Sequence, residues 1–137
     1  MLAKAGDVYC VYNNYLKKYT ACQITKIEED DQKPQAVILS LDWSGEEPLK
    51  EAELSSLQPL YKDFMYWNRG IDLSNVDVNV PANYTFVGNV TPLTDESTNS
   101  YATWGDGYEV YRQLKWQEIT KEQRNTFKEA DKSKEKV

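Results

Sequence analysis

The sequence predicts an α+β, mainly β fold: a small barrel or strongly bent antiparallel sheet with a C-terminal helix. Two patterns carry this. Apolar residues alternate with period two through the first half, as they do in strands with one buried face. Helical spacing is confined to the end, where Tyr108, Tyr111, Leu114 and Ile119 lie three, three and five residues apart. At 137 residues the chain fits one domain, large enough for a real core. Residues 1–120 read as a single β-rich body that ends in the start of a helix. Residues 121–137 read as that helix fraying into a charged tail.

Each element has its own signal. Gly6-Asp7 opens a strand from Val8 to Tyr12, Asn13-Asn14 supply a turn, and a second strand runs from about Tyr19 to Ile27. A register that sets Val8 against Ile24 would face Cys10 to Cys22 and Tyr12 to Thr20. The acidic turn Glu28-Glu29-Asp30-Asp31 with Pro34 leads to the clearest strand. It carries Val37, Leu39, Leu41 and Trp43 on one face and Ile38, Ser40 and Asp42 on the other. Gly45 and Pro48 break that pattern, and Leu49 to Leu57 can hold one or two helical turns with Leu54 and Leu57 inward. Tyr61 to Trp67 reads as a strand, Asn68-Arg69-Gly70 as a turn, Val76-Val78-Val80 as an alternating run, and Tyr84 to Gly88 as a short strand. Residues 94–107 are polar and glycine-containing, and are expected to form a mobile loop. Thr120-Lys121-Glu122-Gln123 has the form of a helix-starting capping box.

The composition excludes more than it selects. There is no histidine, which is the commonest general acid/base near neutral pH and the commonest metal ligand. A serine or cysteine nucleophile therefore lacks its usual base. The cysteines, Cys10 and Cys22, lack the paired spacing of a zinc site, and two buried thiols are expected rather than a disulfide. Carboxylate pairs for glycoside chemistry are numerous, but with 22 acidic residues near neighbours arise by chance. No EF-hand loop is present. The sequence thus predicts no enzyme activity, no metal and no cofactor.

Net charge is −6. Residues 121–137 hold six basic and four acidic side chains, leaving ten against eighteen in residues 1–120, so the body carries about −8. Such a field repels nucleic acid and anionic membrane, and it speeds encounter with a basic partner. Ten Tyr and four Trp, against three Phe, suit contact surfaces with an apolar body and a polar tip. A cationic ligand held among rings such as Tyr9, Tyr12, Trp43, Tyr61, Tyr66 and Trp67 is one use of them, and filling a small barrel is another. Met1 to Val11 shows no secretory signal and no stretch reaches membrane-spanning length, so a cytoplasmic protein is expected.

Four strings taken together resemble a bacterial family. These are Gly6-Asp7-Val8-Tyr9, Leu41-Asp42-Trp43-Ser44-Gly45-Glu46, Leu57-Gln58-Pro59-Leu60-Tyr61, and Pro81-Ala82-Asn83-Tyr84-Thr85-Phe86-Val87-Gly88-Asn89. Over residues 6–93 the chain resembles the SH3-like immunity proteins of polymorphic toxin systems, including contact-dependent growth inhibition. The resemblance implies a cytosolic antitoxin that binds a cognate toxin C-terminal domain and blocks it. Many such toxins are nucleases with basic grooves, which an acidic, aromatic-rich surface would complement. The residues expected to contact the partner are Asp42, Trp43, Glu46, Glu47, Asp63, Trp67, Asp72, Asp95, Glu96, Trp104 and Asp106. The main alternative is an SH3- or Tudor-like module that binds peptides through its aromatic rim; a glycan-active enzyme is a second.

Overall fold

A computed structural model describes residues 1–29, 33–64, 70–105, 107–119, 123, 125 and 126. It is mainly β. Strands β1 (Asp7–Asn13), β2 (Lys18–Glu28), β3 (Gln35–Gly45), β6 (Leu73–Asp77) and β7 (Thr85–Asn89) form one antiparallel sheet in the order β6-β3-β2-β1-β7. Strands β4 (Tyr61–Lys62) and β5 (Gly70–Ile71) make a separate two-stranded ribbon, and helix α1 spans Tyr108–Glu118. Strands β6 and β7 stand at opposite ends of the order and do not pair, so the sheet is not a closed barrel. Of the two forms open to the sequence, the open antiparallel sheet rather than the closed barrel is the one that forms. The β2–β3 register shifts twice, between Thr20 and Cys22 with the extra residues on β3, and between Ile24 and Lys26 with the extra residue on β2.

The β1–β2 register differs from the predicted one by a single residue. Tyr9 faces Cys22, Cys10 faces Ala21 and Tyr12 faces Tyr19. The cause is the turn. Asn13 accepts hydrogen bonds at Oδ1 from the amides of Tyr15 (3.1 Å) and Leu16 (3.0 Å), and Lys17 takes a left-handed φ of 58°. The strands therefore run on to an Asn13–Lys18 pair, one step beyond the predicted facing. A one-residue slip sends side chains to the other face. Cys10 packs on one side of the sheet and Cys22 on the other, and both are free thiols.

The β3 alternation is as predicted. Val37, Leu39 and Leu41 are buried with Leu49, Leu54, Leu57 and Leu73 under the 3-10 turn Glu51–Ser56, and Trp43 packs against them. On the opposite face Tyr9, Cys22, Ile24, Ala36 and Val76 form a second cluster, covered by Ile38, Val78, Val80, Tyr84 and Trp104. A third cluster, Leu16, Leu60 and Leu114, docks α1 on the β1–β2 turn. Gln23, fully buried in mid-sheet, donates to the carbonyls of Val90 (3.2 Å) and Thr91 (3.3 Å) and accepts from the Leu93 amide (3.0 Å), which fixes the chain after β7.

Two other segments depart from prediction. Among the described residues of the expected Tyr61–Trp67 strand, Tyr61–Lys62 is strand and Asp63 and Phe64 are not; 65–69 lie outside the described residues. Residues 94–105 and 107 form no helix or named strand, and they are hydrogen-bonded to the sheet around a bridge at Tyr101. Asn75 donates at Nδ2 to the Thr98 carbonyl (2.7 Å), the Asn75 amide donates to Ser100 O (2.7 Å), and Ala102 N donates to Asn75 O (3.0 Å). Helix α1 stops at Glu118 because Ile119 turns extended, and Gln123, Asn125 and Thr126 are again helical. The rest of the predicted capping box lies outside the described residues.

Candidate functional site

The end of β3 gathers four of the expected contact residues. After Leu41 turns inward, Asp42 is exposed and Trp43 lies half-buried against the core. Its indole donates from Nε1 to Glu53 Oε2 at 3.3 Å, while Glu53 Oε1 accepts from the Lys50 amide at 3.2 Å. Glu53 thus ties the ring to the start of the 3-10 turn. The ring lies across Gly45: a Cβ there would sit 2.9 Å from ring atom Cζ2, so the Asp-Trp-Ser-Gly string needs its glycine for close packing. Trp43, Gly45, Glu46, Glu47, Lys50 and Glu53 line a shallow hollow of about 370 Å3. Glu46 and Glu47 are exposed, and Glu47 meets Lys50 only loosely at 3.8 Å. An exposed pair of that length contributes little to stability, which leaves these carboxylates available to a partner.

The remaining expected residues are dispersed. Asp63 accepts at Oδ1 from Gln113 Nε2 (2.8 Å), and Gln113 Oε1 receives the amides of Asp63 and Phe64 (2.9 Å each). Asp42 accepts from Gln117 Nε2 at 3.2 Å. Both aspartates therefore hold α1 against the body. Asp72 is buried, accepts from the Ser40 hydroxyl (2.6 Å) and pairs with Lys62 Nζ (3.1 Å). Asp95 and Glu96 are exposed beyond the β2 end, where Lys26 Nζ donates to the Asp95 carbonyl (2.8 Å). Trp104 stacks edge-on with Tyr9 and Tyr84 and donates from Nε1 to Asp77 O (2.9 Å). Trp67 and Asp106 lie outside the described residues.

A second concavity, of about 560 Å3, opens on the Tyr9–Cys22 face. Thr20, Cys22, Ile38, Ser40 and Ser74 line it from the strands, with Asp72 beside them. Tyr84 and Trp104 enter from one set of loops, and Tyr15, Tyr108 and Glu109 from the β1–β2 turn and the first turn of α1. Tyr15 and Tyr108 contact each other edge-on, with ring centroids 5.1 Å apart. Sequence reading singled out other tyrosines, because this groove is assembled from segments nearly a hundred residues apart. Only its Trp104 and Asp72 were anticipated.

Titration follows burial. The Cys22 thiol is pushed up to about 12 by burial, and burial also raises Cys10. Tyr9 is raised by burial and by its hydrogen bond to Asp7 Oδ2 (3.0 Å). These are inert groups at neutral pH. Glu28 is lowered by the Ser97 hydroxyl that donates to it at 2.6 Å, and Asp77 by the Asn79 amide. Among the described residues no group of acidic or cysteine side chains gathers as a metal site, and no helix is long and apolar enough to cross a membrane. Comparison with protein-family models, with curated proteins and with solved structures found no match.

Proposed function

We propose that this chain is an immunity protein. It binds a toxin domain with a basic surface, of the nuclease kind, and neutralises it by steric and electrostatic occlusion without chemistry of its own. One observation carries the reading: a half-buried tryptophan, fixed by Glu53, lines a hollow with the exposed carboxylates of Glu46 and Glu47. A fixed aromatic anchor ringed by charge is the composition of an interface hot spot. The acidic body would steer a basic domain toward that anchor. The resemblance of the Asp-Trp-Ser-Gly string to immunity proteins falls on the same corner. The protein is expected to act in the cytoplasm, where such antitoxins meet incoming toxins.

The test is a double reversal, Glu46→Lys with Glu47→Lys, in cells that express a candidate toxin domain encoded beside the gene. Protection should fall, and association with the purified toxin domain should slow by about tenfold or more at low salt. Full protection with unchanged association would remove the Trp43 corner from the interface.

A further inference from the structure

The groove on the Tyr9–Cys22 face has a chemistry distinct from that of the Trp43 corner. We infer that it is a receptor site for an arginine side chain presented by a bound polypeptide. The inference does not depend on that polypeptide being a toxin.

Three features point to a cation. The charged residues lining the groove, among those described, are Asp72 and Glu109, both acidic. Four rings, Tyr15, Tyr84, Trp104 and Tyr108, line the same space, and aromatic faces attract cations. The strand side supplies the hydroxyls of Thr20, Ser40 and Ser74, whose oxygens can accept from N–H donors. An anion is disfavoured, since Glu109 already stands in the positive first turn of α1.

The cation is a guanidinium rather than an ammonium. Guanidinium is planar, weakly hydrated and suited to stacking on rings while its edge donates several hydrogen bonds. Tyr108 already accepts one from its own chain, with the Arg112 Cζ 5.3 Å from the ring centroid. Asp72 is balanced by Lys62, so its role is to hold Ser40 and keep the strand side free of positive charge. Glu109, exposed at the rim, adds negative charge beside the Tyr108 ring that Arg112 also approaches. At about 560 Å3 the space exceeds one side chain and falls in the range of ligand pockets, so flanking peptide backbone enters with it.

The experiment titrates the full chain, isotope-labelled, with a blocked Ala-Arg-Ala peptide and with its citrulline counterpart, which keeps the shape and removes the charge. Saturable NMR shifts at the Trp104 indole and at the Gly105 and Gly107 amides, with about tenfold weaker binding of the citrulline peptide, are expected. Tyr108→Ala should weaken the arginine peptide severalfold; if that variant fails to fold, Glu109→Lys at an exposed position makes the same test. Equal binding of the two peptides, shifts confined to the Trp43 hollow, or no shifts at about 10 mM peptide would each overturn the assignment.

Discussion

Asn13 donates from Nδ2 to the carbonyl of Gly107, 2.9 Å away and 94 residues along the chain. The same side chain caps the β1–β2 turn through its Oδ1, so one buried amide joins the first hairpin to the start of α1. Gly107 is held at φ 85°, and a Cβ there would collide with Asn13 Nδ2.

Replacing Asn13 with alanine leaves two turn amides and one carbonyl without this partner. A loss of about 2–3 kcal/mol in chemical denaturation is expected. Gly107→Ala should cost more than about 1 kcal/mol for its left-handed backbone alone. An unchanged denaturation midpoint in both would show that the hairpin–helix junction is not stabilised through this amide.

Gln113 is the second latch on α1, since it is buried and bound to the Asp63 carboxylate and to two backbone amides. Gln113→Ala is expected to lower stability by about 2–3 kcal/mol. It should also speed hydrogen exchange across Tyr108–Glu118 more than across β2. Uniform acceleration over the sheet and helix alike would mean that α1 has no separate opening.

The thiols give a pH prediction. Folding holds Cys22 protonated up to about 12, against an ordinary 9.0, and raises Cys10 as well. The folded chain then binds more protons than the unfolded chain above pH 9.0, so stability is intact below that value and falls as pH rises toward 12. Tyr9 adds to the same decline above its ordinary 10.0. Urea melts between pH 8 and pH 11 should show the fall, as should alkylation by iodoacetamide that is slow until urea is added. Rapid labelling of the native protein at neutral pH would contradict the burial of both thiols.

The segment after β7 is fastened through Asn75, whose backbone and side chain together reach Thr98, Ser100 and Ala102. Asn75→Ala should release residues 98–102 into fast hydrogen exchange and cost about 1–3 kcal/mol. Protection unchanged at Ala102 would indicate that the strand-like bridge alone suffices.

Legibility in the sequence tracked the range of the interactions. Strand β3 was legible because burial of Val37, Leu39 and Leu41 leaves a period-two pattern in neighbouring residues. The hairpin register was not, because it turns on a side chain, Asn13, choosing to cap amides two and three residues ahead. The Trp43 corner was legible as a local string of ring and acids. Asp63 and Asp72 read as surface charge, although their partners Gln113, Ser40 and Lys62 are contributed by other elements. The polar composition of the 94–107 segment says nothing of the bonds from Asn75 to Thr98, Ser100 and Ala102, because Asn75 lies on another element.

That fastening also makes the two borders of the sheet unlike each other. Tyr101 bridges Asn75 in parallel on the outer side of β6, so that border is covered by the chain itself at Asn75. At the other border stands β7, with Phe86 exposed and no bridge on its far side among the described residues. The β7 border is therefore where unpaired strand backbone remains for another strand to add, while along β6 the bridge already takes the Asn75 position.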